Sequence, residues 1–433
     1  MLSRRRFLAA SGAAVAAGPF IRTASADEPK DKLKVALIGV GGQGQFTLTN
    51  IRNEEVVALC DVDESRKEVI DSRAQFPKAE FFTDYRKLLD KLGKTLDAVA
   101  VCTPDHTHAH PTLAALGLGK HVYCEKPLCH SVGEVRAVQK LAAERKAITQ
   151  MGTQIHAGDN YRRVVEVVQS GVLGKISRVH VWCSRRPDGG RQVNPPASKP
   201  KLDLDLWRGP VADDFFYANH KDWPHFHWRW WWPFGGGVLA DMGCHFMDLA
   251  FWALDLGSPT KVKATGEGIP NADNTVPGTL RVDYTFPATK ARGEVQLSWY
   301  HGVAGPDLEG KTTYKGFADG VLFEGEGGKK VVSNYSKHQL FPDEFAKDFK
   351  APEQSIAKSV GHHKEWLDAI RGVGKPLCHF GYAGPLTETV LLGNVAYRSG
   401  TDIAWDTVKG QTDKKEANEF LATTPRKGWE YPV

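Results

Sequence analysis

Leu33-Lys34-Val35-Ala36-Leu37-Ile38-Gly39-Val40-Gly41-Gly42-Gln43-Gly44 is the stretch that decides the fold. Its first half is a short, mainly apolar run bounded by glycine, which reads as a strand buried in a parallel sheet. Its second half is a G-x-G-x-x-G, and residues 45–53 can continue as a helix. Such a triplet carries little weight alone, but between strand and helix it has a mechanism. Gly39 permits the tight turn, Gly41 lets the backbone approach a pyrophosphate, and Gly44 lets helix and strand pack closely. The helix N-terminus then faces the phosphates. With Gly42 and Gln43 these are candidate cofactor-binding residues.

The reading extends in both directions from there. A second strand, Val56-Val57-Ala58-Leu59-Cys60, ends at Asp61, 17 residues beyond Gly44. An acid near that spacing accepts hydrogen bonds from the adenosine ribose and repels a 2′-phosphate, favouring NAD over NADP. Asp63 could share that role, Arg66 could instead favour a 2′-phosphate, and Asp61 could equally be a helix N-cap. Further strands are expected at 97–102, 121–124 and 148–151, with helices at 107–118 and 131–145. This alternation predicts a doubly wound parallel sheet, a Rossmann domain over 33–155. Cys60, Cys102 and Cys124 fall inside strands and read as core filler.

Residues 156–433 have another texture. A helix is expected at 158–170, strands at 176–183, 260–267, 279–286 and 292–300, and helices at 359–371 and 384–398. The stretch 187–210 is rich in Gly and Pro. This predicts an α+β domain with an open, mainly antiparallel sheet, an α/β protein overall. Residues 303–357 carry no pattern that places them.

Composition excludes several classes. The 433 residues are 41% hydrophobic and 25% charged, which is globular rather than disordered, collagenous or coiled-coil. Residues 1–26 carry four arginines and no acid, so of the formal charge of +5 only +1 belongs to the remainder, no footprint for nucleic acid. No run of 18 apolar residues is present, so no membrane insertion of the mature chain is expected. The seven cysteines form no CxxC pair, which argues against a zinc knuckle or disulfide scaffold. The start, Ser3-Arg4-Arg5-Arg6-Phe7-Leu8, then a small apolar stretch and Ala24-Ser25-Ala26, has the three parts of an export signal. It resembles the twin-arginine (Tat) type, which carries folded proteins out to the periplasm, cofactor included.

Three clusters could do chemistry. Glu125-Lys126-Pro127 closes a strand at the end of the sheet where ligands bind, so Lys126 can meet a substrate hydroxyl and stabilise alkoxide charge. It could also be a turn lysine at the surface. Asp241 and His245, four apart in Gly235-Gly236-Gly237-Val238-Leu239-Ala240-Asp241-Met242-Gly243-Cys244-His245, share a helical face. There the carboxylate would orient the imidazole and favour its charged form, an acid–base pair for removing an alcohol proton. An N-cap with a core histidine, or a metal site with Asp248, are the alternatives; no further ligand cluster supports a metal. Third, His220 to Phe234 holds five of the twelve tryptophans. A sugar, a neighbouring subunit or plain core could cover them. Trp228, Arg229 and Trp231 are thus candidate substrate contacts together with His245, and His225 and His227 would face one ligand if the segment were a strand.

Together these motifs, with Thr103-Pro104 to His108 and the late Ile403-Ala404-Trp405-Asp406, resemble the Gfo/Idh/MocA family of nicotinamide oxidoreductases. The resemblance implies Lys126 as catalytic lysine, Asp241 and His245 as the acid–base pair, and Thr103, Pro104, His108 and Glu125 beside the cofactor. It implies a sugar or glycoside substrate and a homodimer or homotetramer. Asp105 stands where the family often has Asn, and the tryptophan-rich insert departs from compact members. Export implies a tightly bound NAD returned to its starting state. That suits hydride transfer from a secondary sugar hydroxyl, a redox-neutral glycosidase that oxidises, eliminates, hydrates and reduces again, or a non-catalytic sugar-binding protein on the same fold.

Overall fold

The computed structural model describes residues 32–187, 202–212, 224–268, 274–302 and 316–432. The export signal expected over residues 1–26, most of the Gly/Pro-rich stretch and His220 to Trp223 lie outside them. Leu33 to Val433 pack as one compact unit.

The first sheet holds β1 (Lys34–Ile38), β2 (Glu55–Cys60), β3 (Glu80–Phe82), β4 (Ala98–Val101), β5 (His121–Cys124) and β6 (Thr149–Met151). All pairs are parallel, in the order β3-β2-β1-β4-β5-β6. In β4 every residue is buried, and in β1 all but Lys34, because helices cover both faces. The strand order reverses between β1 and β4. Their carboxyl ends therefore diverge into a crevice, and Gly39 and Cys102-Thr103-Pro104 line it. Helices Gln43–Ile51, Ala109–Gly117 and Val132–Glu144 lie where the sequence places them; β3 and its flanking helices Lys67–Gln75 and Tyr85–Leu92 are additions.

The second sheet has nine strands: β7 (Arg178–Cys183), β8 (Lys261–Gly266), β9 (Leu280–Phe286), β10 (Val295–His301), β11 (Gly320–Glu324), β12 (Lys330–Ser333), β13 (His338–Phe341), β14 (Ile403–Asp406) and β15 (Gln411–Thr412). Their order is β13-β12-β11-β7-β10-β9-β8-β14-β15, antiparallel except where β10 runs parallel to β7. β9 shows the two-residue period: Leu280, Val282, Tyr284 and Phe286 are buried, while Arg281, Asp283 and Thr285 between them are not. The inner face packs against the helices Gly237–Leu254 and Phe380–Ser399. Residues 303–357, unplaced by pattern, contain β11, β12 and β13.

The helix His362–Ile370 does not stay with the second sheet. Its Trp366 is fully buried in the core of the first sheet with Val35, Leu37 and Tyr123. Gln150 Nε2 donates to the His362 carbonyl at 2.9 Å, joining β6 to the same helix.

The glycine turn tolerates no extra atom at Gly44. A Cβ there would sit 2.0 Å from the Gly39 carbonyl oxygen, backbone against backbone. Gly44→Ala should therefore lower unfolding free energy by about 1–3 kcal/mol, read by urea denaturation; wild-type stability would contradict this packing.

Candidate active site

One cavity of about 390 Å³ opens at the crevice and runs from the glycine turn to the long helix Gly237–Leu254. At its first end lie Gly39, Gly41, Gly42 and Gln43. The amides of Val40 and Gly41 donate to Asp61 Oδ2 at 2.9 and 3.0 Å, and that of Asp63 to Oδ1 at 3.0 Å. Asp61 therefore braces the turn; the cap of the next helix is Arg66. Burial raises the Asp61 pKa, against the opposing pull of these amides. The Arg66 guanidinium lies over Gly41, where a Cβ would come within 2.7 Å of it, and it also bonds Glu68 at 3.1 Å.

Glu125 follows β5 at the carboxyl end of the sheet. Its Oε1 accepts from Gln43 Nε2 at 3.3 Å, Tyr123 Oη at 3.2 Å and Gln154 Nε2 at 2.8 Å, tying the glycine turn to the end of β5. Burial pushes its carboxyl up to about 7, although Lys126 and Gln43 oppose the shift. Asp105 is likewise raised to about 7 by burial, with Lys126 and Arg229 opposing. His108 has one ring nitrogen 2.7 Å from the Pro127 carbonyl and the other 2.7 Å from that of Thr103. Making both bonds needs the charged ring, yet burial lowers its pKa to about 4. The ring spans the two carbonyls and so braces two loops at the cavity wall.

The chemical end is built across the two sheets. Lys126 Nζ donates to Asp241 Oδ1 at 2.8 Å and to the Asp241 carbonyl at 2.6 Å. Arg229 Nε reaches the same Oδ1 at 3.2 Å, and Arg185 Nη1 reaches Oδ2 at 3.2 Å. Burial alone would raise the Asp241 pKa, but Lys126 and Arg229 outweigh it and hold the carboxyl well below the usual range. A glycine permits this approach: a Cβ on Gly235 would sit 2.7 Å from the Cα of Arg229. The long helix is capped by Gly236, so Asp241 and His245 both lie inside it and Asp241 is no N-cap.

His245 departs from expectation. Its neighbour four residues back serves Lys126, and no hydrogen bond joins the two side chains among the described residues. His245 Nδ1 is buried without a partner. Burial, then Lys126, lower its pKa to about 3 against the pull of Asp241. The ring is neutral, not held in its charged form, because desolvation outweighs the nearby carboxylate. Asp248 does not join Asp241 either: it takes hydrogen bonds from His156 Nδ1 at 2.9 Å and Tyr382 Oη at 2.7 Å. With Cys378 these form a buried group of metal-ligating types, away from the cavity.

The four described tryptophans of the tryptophan-rich segment are buried. Trp228, Trp230, Trp231 and Trp232 are each at most 5% exposed. Trp228 reaches the cavity wall and carries the Arg229 guanidinium at 4.3 Å, whereas Trp231 lies inside the core and is not a cavity residue. His227–Trp230 is a 3-10 turn, so His225 and His227 do not alternate as in a strand. His225 Nε2 instead bonds Asp63 Oδ2 at 2.9 Å, reaching back to the first sheet. Sequence reasoning missed Arg185, two residues beyond a strand end, and Tyr335, which lines the cavity from a stretch without pattern. Only the Arg185-Arg186 doublet offered a signal.

The cavity suits a dinucleotide. Its glycine turn leaves backbone exposed at a helix N-terminus. Thr103 Oγ1 and His245 Nδ1, on residues that line it, are buried with no hydrogen-bond partner among the described residues, as polar atoms at a ligand site are before the ligand binds.

Comparison with known proteins bears on the same residues. Residues 33–153 match the model described as oxidoreductase family, NAD-binding Rossmann fold, and residues 214–309 that of the GFO/IDH/MocA C-terminal domain. An inositol 2-dehydrogenase of Paracoccus denitrificans is 30% identical over 194 residues, 43% of this chain and 56% of that protein. Its counterpart in Salmonella typhimurium is 28% identical over 153 residues, 34% and 45% respectively. The chain thus spans about half the length of these relatives. The WlbA dehydrogenase of Bordetella pertussis, solved with NADH and UDP-GlcNAcA, shares the fold with a TM-score of 0.59 at 16% identity, covering 87% of this chain and 99% of that one.

Glu125 provides a pH test. Its carboxyl moves from 4.5 to about 7 on folding, so the native protein keeps a proton that the unfolded chain releases. That contribution is complete below pH 4.5, falls as pH rises to 7 and is flat above. Glu125→Gln removes the titration. Relative to wild type, the variant should gain about 3 kcal/mol between pH 4 and pH 8, measured by denaturant titration; a difference independent of pH would contradict the buried, raised carboxyl.

Proposed function

We propose a reaction for a chain that belongs to the Gfo/Idh/MocA family of oxidoreductases: removal of hydride from a secondary hydroxyl of a sugar or glycoside on to a tightly held NAD. The observation carrying this reading is that Lys126, Asp241 and His245 meet in the cavity into which the glycine turn opens. The inositol dehydrogenases among its relatives support a ring hydroxyl as the reacting group.

Gly39, Gly41, Gly42 and Gln43 would hold the pyrophosphate, with Gly44 keeping the helix against the turn and Arg66 beside it, and Thr103, Pro104 and Glu125 the other half of the dinucleotide. Bound there, NAD supplies the hydride acceptor. Lys126 donates a hydrogen bond to the substrate oxygen and stabilises negative charge as it develops. Asp241 keeps Lys126 aimed through the two bonds at 2.8 and 2.6 Å. His245, neutral and on the cavity wall, takes the hydroxyl proton on a ring nitrogen. The 2.9 Å His225–Asp63 contact, with Trp207 and Trp429 on the cavity wall, supports a cofactor enclosed by both sheets' elements. Enclosure suits export by the twin-arginine route, which residues 3–8 and 24–26 support.

Lys126→Ala should retain bound NAD, identified after denaturation, while kcat falls by about 10²–10³; full turnover in this variant would end the assignment. Replacing Arg4 and Arg5 by lysine should hold the protein in the cytoplasm on cell fractionation. Unimpaired export of that variant would refute the twin-arginine reading.

A further inference from the structure

We propose that the sugar carries an acidic substituent, a carboxylate or a phosphate ester, received by Arg185 and Arg229. The proposal rests on the sugar-oxidising reading above and narrows its substrate class.

The observation is an excess of cations around one carboxylate. Lys126, Arg185 and Arg229 come from three separate segments, and all reach the Asp241 carboxylate within 3.2 Å. Lys126 alone suffices to pair with Asp241 and polarise a hydroxyl. The two guanidinium groups add charge that a neutral sugar leaves unanswered. The other carboxyls lining the cavity at this end, Asp105 and Glu125, are buried and raised to about 7, so they offset that charge only in part at neutral pH, while Asp319, which accepts from the Ser184 amide at 2.6 Å, lies outside the lining. At the other end of the cavity the glycine turn already has its own cation, Arg66.

Donor geometry points the same way. Arg185 gives Asp241 a single N–H, and its side chain is 54% exposed where it lines the cavity. Arg229 uses Nε on Asp241 and Nη1 on the Phe226 carbonyl at 3.1 Å, which leaves Nη2 without a partner among the described residues. Its planar group is stacked over Trp228 at 4.3 Å and Phe226 at 4.8 Å, so it is oriented before any ligand arrives. A guanidinium has five N–H donors whose fork matches carboxylate and phosphate oxygens. A carboxylate or phosphate on the sugar ring would take the donors Asp241 leaves unused.

The test uses the full mature protein with its resident cofactor. Binding of glucuronate, galacturonate, glucose 6-phosphate, glucose and galactose is measured by calorimetry, and turnover by absorbance of reduced nicotinamide. At least one acidic sugar should bind about ten- to a hundredfold more tightly than its neutral counterpart, weakening as salt rises. The carboxylate and phosphate arms show which group is recognised. Arg185→Gln, with wild-type melting temperature, should lose at least tenfold more affinity for the acidic sugar than for its neutral counterpart. Equal affinity for acidic and neutral sugars, or equal losses for both in Arg185→Gln, overturns the proposal. A binding preference with no reduced nicotinamide for any sugar overturns the oxidoreductase reading and leaves this one standing; turnover without the preference does the reverse.

Discussion

A lysine from the end of one sheet and an aspartate from a helix on another share a proton-bearing bond in a nearly dry interior. Lys126 and Asp241 are 13% and 8% exposed at their side chains. A buried ion pair gains little net stability over an apolar substitute, since both charges lose their hydration. What it fixes is position. The ammonium is held by a carboxylate and a backbone carbonyl of the same residue, so the end of β5 and the long helix are locked in register. The hydroxyl-binding lysine is thereby set by the second sheet, and the cavity exists only where the two parts meet.

That meeting explains which features sequence could convey. The parallel sheet was legible because local rules govern it: apolar runs for β1 and β4, a glycine turn, and helices in alternation. β3 was missed because it is three residues long and none of them is fully buried. The inner–outer alternation of β9 revealed the second sheet, while β11 to β13 sit in a polar, glycine-rich stretch whose burial comes from packing rather than pattern.

For the site, residue identities were legible and their pairings were not. Helical spacing brings Asp241 and His245 to one face, but it cannot say that a lysine 115 positions earlier outcompetes the imidazole for the carboxylate. Nor does composition reveal that desolvation leaves the histidine neutral. The density of the tryptophan-rich segment left a sugar, a neighbouring subunit and plain core open as its cover. In the fold Trp230, Trp231 and Trp232 are buried in the core, while His225, Phe226 and Trp228 reach the cavity, the last two as a platform for Arg229. Arg185 had only its doublet with Arg186 to announce it, since a polar residue just beyond a strand is ordinary until its neighbours are known.

Trp366 has a consequence for modularity. A side chain contributed from the last fifth of the polypeptide plugs the nucleotide-binding half, alongside Val35 and Leu37 at its centre. A fragment cut after the parallel sheet would carry a hole the size of an indole through its middle. Recombination between relatives at the apparent boundary near residue 155 must therefore carry a matching late helix with it. The two halves are thus obliged to change together, even though their sheets look separable on paper.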